Sequence, residues 1–205
     1  MAGLSALGYS PRVRIAYHVM TSPVGLLFLA RTDKGLRYLE FMDRKSIKRM
    51  ISNHGGAEEL EATWVPSLLD LKPVVDQLDA YFCGALSQFS LALDAIGTDF
   101  QQAVWKELRK IPFAETRTYG EIAKAIRQPK AARAVGLANN QNPIAIVVPC
   151  HRVIGANGSL TGYGGGIQRK RWLLQHETRF GKLVGQSGDL FTAATSGRGG
   201  RRSES

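Results

Sequence analysis

The stretch Asn142-Pro143-Ile144-Ala145-Ile146-Val147-Val148-Pro149-Cys150-His151-Arg152-Val153 constrains this chain more than any other. Five apolar residues run without a break from Ile144 to Val148 and are stopped by Pro149. Proline has no N–H to give to a ladder, so a buried strand must turn or end there. A thiol is thereby delivered at the lip of a core segment, next to an imidazole and a guanidinium. Cationic or hydrogen-bonding neighbours lower a cysteine pKa from its free value of about 8.5 and raise the thiolate fraction. Cys150 taken alone fits an inert buried cysteine equally well, since free cysteine is among the most buried residue types.

Composition narrows the setting. At 205 residues, with 44% hydrophobic and 21% charged side chains, the chain reads as an ordinary globular protein of one domain or two small ones. Nothing approaches the roughly 20 apolar residues of a membrane helix, and no basic stretch followed by an apolar run marks a secretory signal. Cys83 and Cys150 are the two cysteines, too few for a disulfide framework, so a reducing, intracellular compartment is expected. The net charge of +10 is unevenly placed. Residues 1–97 hold ten Lys/Arg and ten Asp/Glu, whereas residues 98–180 hold thirteen against five. A neutral half joined to a basic half suggests that the second half faces a polyanion.

In chain order, residues 1–11 are rich in Gly, Ser and Ala and read as a flexible lead. Val13–Met20, Gly25–Ala30 and Gly35–Phe41 read as three strands of an antiparallel meander, with turn chemistry at Ser22-Pro23 and Thr32–Gly35. Asp43–His54 reads as a basic helix and 57–65 as an acidic loop. Pro66 opens a helix whose stripe is Leu68, Leu71, Val75, Leu78 and Phe82, ending near Gly84. Phe89–Leu93 is either a further strand or a connection, and Gly97 is a boundary. Thr98 with Gln101 and Thr118 with Glu121 each have the spacing of a capping box. Two short helices, separated at Gln128-Pro129, then fit a helix-turn-helix, the second (Lys130–Asn139) built mostly of small residues. Gly155–Gly158 is a turn, and a last helix passes through Trp172 to Glu177. From Gly181 the chain reads as a flexible tail.

A cysteine with an adjacent histidine and a downstream glutamate supports nucleophilic chemistry, in which a third group orients the base. Alone it fits a thiol hydrolase, as the helix-turn-helix alone fits a transcriptional regulator. Both in one basic half argue for a thiol that acts on DNA.

Pro149-Cys150-His151-Arg152-Val153, Asn142-Pro143, Thr118-Tyr119, Lys130-Ala131-Ala132-Arg133-Ala134-Val135-Gly136 and Trp172–Glu177 together resemble the O6-alkylguanine-DNA alkyltransferases, in their bacterial form. The resemblance covers 98–177 closely and the first half in outline. It implies an α/β (α+β) fold, with a ribonuclease-H-like antiparallel sheet plus helices over 12–95 and a helical DNA-binding and acceptor domain over 98–180, flanked by tails at 1–11 and 181–205. Its implied activity is stoichiometric, suicidal transfer of an alkyl group from O6 of guanine in double-stranded DNA to Cys150, with O4-alkylthymine left open as a second substrate. Residue by residue, it makes Cys150 the acceptor, His151 its base through a water, and Glu177 the residue that orients His151. Asn142 would brace the turn, and Tyr119 would protonate the leaving guanine at N3. Carbonyls of Cys150 and Val153 would accept the exocyclic amine, in a pocket lined by Pro149, Tyr163 and Gly164. Arg133 would fill the space of the flipped nucleotide, with Ala131, Ala132, Ala134, Gly136, Thr118 and Lys130 along the DNA. Gly164 stands where several relatives have serine, which removes a hydroxyl contact. Cys83, His18 and His54 lack ligand spacing, so no metal and no cofactor are expected. A cytoplasmic (in a eukaryote, nuclear) monomer is the expectation, with a DNA-binding regulator or damage sensor as the alternative.

Overall fold

The computed structural model describes residues 13–42, 47–53 and 62–195, of the last fourteen only the helical path. Strands β1 (Arg14–Ser22), β2 (Gly25–Arg31) and β3 (Leu36–Phe41) form the expected meander. Helix α1 (Ile47–Asn53) falls inside the expected basic helix, whose ends lie outside the described residues. Residues 57–65, read as a loop, include a fourth strand, β4 (Thr63–Pro66), parallel to β1. The sheet order is β3-β2-β1-β4. What makes β4 a strand is tertiary: Trp64 stacks over Tyr38 at 6.4 Å and packs against Phe28 and Tyr17 on the outer face of the sheet. β2 is central and buried on both faces, Leu27 and Leu29 toward the main core, Phe28 and Ala30 toward Met50 of α1. That is why it reads as a continuous apolar run.

Pro66 closes β4 instead of opening the next helix. Ser67 is the N-cap of α2 (Leu68–Phe82), its hydroxyl accepting from the Asp70 N–H. The buried stripe is Leu71, Val74, Leu78 and Tyr81; Leu68 is exposed, and Val75 and Phe82 lie at its margin. Gly84 ends α2 with φ +76°, and the Gly84 and Ala85 N–H groups return to the carbonyls of Tyr81 and Ala80. From there the chain runs extended, touching the start of β3 through a bridge between Leu93 and Leu36.

Both capping boxes are formed. Thr98 caps α3 (Asp99–Leu108), and Thr118 caps α4 (Tyr119–Ala125). The second helix of the pair, α5 (Ala132–Asn140), starts two residues later than expected, with Ala131 at its N-cap and no side-chain cap. Residues 117–118 form a short strand, β5, that pairs in parallel with β6 (Val153–Ile154), directly after the cysteine. The last helix, α6 (Ile167–Thr195), does not stop near Glu177, and the segment read as a flexible tail is helical as far as Thr195. Gly181, expected to start the tail, lies inside the helix at a close contact: a Cβ there would lie 2.8 Å from Cβ of Ala114. The architecture is α/β, as expected. Among the described residues no helix is long and apolar enough to cross a membrane.

Gly97 serves a close approach. A Cβ at this position would sit 2.6 Å from Cη2 of Trp105, whose Nε1–H donates to the Ala138 carbonyl of α5 at 2.9 Å. Gly97→Ala should therefore push Trp105 off α5 and destabilise the fold by about 1–3 kcal/mol, as overpacking does. Denaturant unfolding followed by tryptophan fluorescence measures this.

Candidate active site

The apolar run before Cys150 is not a strand. Ile144–Val147 wind through buried turns, Ile146 has φ +68°, and the run meets β3 only at a bridge between Ile144 and Leu39. The turns close on Asn142. Its Oδ1 accepts from the Ile144 N–H at 3.0 Å, and its Nδ2 donates to the Val148 carbonyl at 2.8 Å. One amide side chain thus takes the place of ladder partners that the buried backbone would otherwise lack. Pro149 then precedes a single 3₁₀ turn, Cys150–Arg152. With three residues per turn, consecutive side chains leave in three directions. Cys150 borders a cavity of about 220 Å³, whereas His151 and Arg152 both reach Glu177.

Glu177, fully buried on α6, accepts five hydrogen bonds. Oε1 takes the Tyr81 hydroxyl at 2.8 Å, His151 Nε2 at 2.8 Å and Arg152 Nη2 at 2.9 Å. Oε2 takes Arg152 Nε at 2.9 Å and the Ala114 N–H at 3.1 Å. Burial by itself would raise this carboxyl, but hydrogen bonds and charge from His151 and Arg152 outweigh it and hold it far below the usual range. An ionised carboxylate only accepts, so Nε2 of His151 carries the hydrogen. Burial pushes the imidazole pKa below its ordinary value, against the pull of Glu177. The ring is therefore neutral near pH 7, and Nδ1, a buried atom with no hydrogen-bond partner among the described residues, keeps a free lone pair.

One expectation is corrected here. His151 and Arg152 do not act as cationic neighbours of the thiol, because both are committed to Glu177. Cys150 is 5% exposed, and its burial pushes the thiol up, offset in part by Asn142, Tyr163 and the charge of Lys170. The resting form is a protonated thiol.

The cavity brings together Cys150, Asn142, Tyr163 and Gly164, with Asn139 and Phe41. A Cβ on Gly165 would collide with the Phe41 ring, so glycine keeps this wall thin. Tyr119, set by the β5–β6 pairing, donates its hydroxyl to the Thr161 carbonyl at 3.0 Å; burial raises its pKa and keeps the phenol protonated. The Val153 carbonyl takes Lys170 Nζ at 2.6 Å, and the Cys150 carbonyl takes Asn139 Nδ2 at 3.3 Å. The Cys150 carbonyl also accepts the Val153 N–H, so both of its lone pairs are engaged. Pro149 is the N-cap of the 3₁₀ turn and does not border this cavity. On α5, Arg133 and Ala134 are exposed and Ala132 and Gly136 half-buried, with Lys130 and Ala131 in the turn before. The Thr118 hydroxyl is engaged by Glu121 in the cap.

Sequence reasoning missed Tyr81, Asn139 and Lys170. Lys170 is fully buried, yet lies three and seven residues before Leu173 and Glu177, so helical spacing alone puts it on their inward face. Among the described residues no cluster of His, Cys, Asp or Glu could hold a metal. Removing the carboxylate (Glu177→Ala) leaves the buried Arg152 guanidinium unpaired, and thermal unfolding should show a loss of about 3–5 kcal/mol.

Known proteins place this arrangement. Residues 15–95 match the family described as 6-O-methylguanine DNA methyltransferase, ribonuclease-like domain, and residues 99–179 its DNA binding domain. The methylated-DNA–protein-cysteine methyltransferase of Methanosarcina acetivorans is 50% identical over 161 residues, 78% of this chain and 97% of that protein. The protein of the same name from Mycobacterium tuberculosis is 52% identical over 163 residues, 80% of this chain and 92% of its own length. A crystal structure of the M. tuberculosis O6-methylguanine methyltransferase superposes with a TM-score of 0.71 at 50% identity, covering 80% of this chain and 93% of that one. The same organism's OGT in complex with DNA gives 0.69 at 50% identity, covering 82% and 94%. The chain belongs to the 6-O-methylguanine-DNA methyltransferase family.

Proposed function

We propose that this protein repairs double-stranded DNA by moving an alkyl group from O6 of guanine to Sγ of Cys150, once per molecule. The observation that carries the reading is the buried relay Glu177–His151, with a free Nδ1 on the residue next to a protonated thiol at a cavity. In the reaction, His151 Nδ1 takes the thiol proton through a water, and the sulfur pair attacks the alkyl carbon. A C–S bond forms, the C–O6 bond breaks, and its electron pair passes into the purine. The Tyr119 phenol gives its proton to N3 as that charge develops, so the base leaves neutral. General acid and base steps of this kind contribute roughly 10²–10⁴-fold each.

The alkylated carbon cannot be reached inside a stacked duplex, so the nucleotide is flipped, at a cost of a few kcal/mol. A cavity of about 220 Å³ suits a single base, being smaller than the roughly 300–1,000 Å³ of drug-sized ligand sites. Exposed Arg133, with small neighbours that let α5 lie close in a minor groove, takes the vacated space. Little base specificity follows, because phosphate contacts position without reading sequence. A thioether has no easy route back, so the protein is spent. Residues 12–95 and 98–180 are the two units of this reading.

Intact-mass measurement after incubation with duplex DNA carrying one O6-methylguanine tests it. One added methyl per chain, mapped to Cys150, is expected; release of methanol with unmodified protein, or no adduct, overturns it. Cys150→Ser should still bind the damaged duplex while transferring nothing, and Tyr119→Phe should slow transfer by roughly 10²-fold or more.

A further inference from the structure

Tyr81 lies at the end of α2, in the first half of the chain, and is fully buried. Its hydroxyl donates to Oε1 of Glu177, the oxygen that also receives His151 Nε2. The other donors to this carboxylate (Ala114, His151 and Arg152) all come from the second half. The Tyr81 ring is held edge-on by Phe82 at 5.3 Å and Phe113 at 6.1 Å, and its carbonyl is bonded to His176 Nε2 at 2.9 Å. Burial, then the neighbouring carboxylate, raise the phenol well above its ordinary pKa, so it remains a donor throughout the working range.

We propose that Tyr81 is a positioning residue of the transfer reaction: its hydroxyl fixes Glu177 and draws charge from it, so that the first half sets the basicity of His151. The inference rests on His151 being the base of the proposed reaction. The charged and titratable groups around the relay are Arg152 on Glu177 and near His151, Lys170 near His151, and His176 and Tyr163 near Tyr81. None is altered when the Tyr81 hydroxyl is removed. A carboxylate with one donor fewer holds its charge more tightly and attracts an imidazolium more strongly. His151 then takes up its proton at higher pH, and base catalysis is lost earlier on acidification. A tyrosine that merely fills the core predicts no such change.

The test is the pH profile, from about pH 5 to 9, of methyl transfer from an O6-methylguanine duplex, measured in single-turnover quench experiments on the full chain and on Tyr81→Phe. The acid limb should move up by as much as about one pH unit, a loss of up to roughly tenfold below the limb, with rates above pH 8 within about twofold. An unmoved limb, or a loss equal at every pH, overturns the inference. Site-specific 3-fluorotyrosine at position 81 keeps the ring and strengthens the donor, so its limb should move down; it carries the test if the phenylalanine variant does not fold, and an unshifted limb there overturns the proposal as well. Absence of transfer by the unaltered protein overturns the functional reading itself, an outcome distinct from transfer with an unmoved limb.

Discussion

A single buried carboxylate holds this molecule together where it matters. Glu177 can stay ionised in the core only because its lone pairs are met by donors on three separate stretches of chain: α2, the loop after α3, and the 3₁₀ turn that carries both His151 and the bidentate Arg152. A buried charge is tolerated under that condition and no other. Because the donors arrive from both halves, the ion cannot be satisfied until the halves are docked. The same geometry pins the imidazole in the tautomer with Nδ1 free, and it removes Arg152 from the neighbourhood of the thiol.

The thiol therefore sits in an unusual electrostatic position. It is buried, which favours the neutral form, and the cation whose charge partly offsets this is Lys170, itself tied to two backbone carbonyls. A protonated cysteine in an apolar setting is protected from adventitious oxidation and alkylation, which follow thiolate character and exposure. For a protein that the proposed reaction consumes, reactivity held back until a base enters the pocket is chemically consistent.

Much of this was legible in the residues because the signals were local. The two capping boxes, the meander and the Cys150-His151 pair depend on spacings of a few positions, whereas the roles of Asn142 and Glu177 came with the family resemblance. What was illegible depended on the far side of a contact. Thr63–Pro66 lacks strand patterning over enough residues to declare itself, and becomes a strand because Trp64 covers an aromatic face of the sheet. Ile144–Val148 reads as a strand by composition, yet its backbone is satisfied by one asparagine and by the edge of β3. Gly181 reads as the start of a flexible tail, because the need for a bare Cα beside Ala114 is invisible in one dimension. Tyr81 belonged to a stripe one position away from the one expected, and with it went the link between the halves.

The central claim is that burial keeps His151 neutral while Glu177 fixes its proton on Nε2, leaving a lone pair on Nδ1. Long-range ¹H–¹⁵N correlation of ¹⁵N-histidine-labelled protein near pH 7, with His151 assigned through a His151→Gln variant, reads this directly. The account predicts a pyrrole-type shift for Nε2 and a pyridine-type shift for Nδ1. Equal shifts of an imidazolium, or a proton on Nδ1, would contradict it.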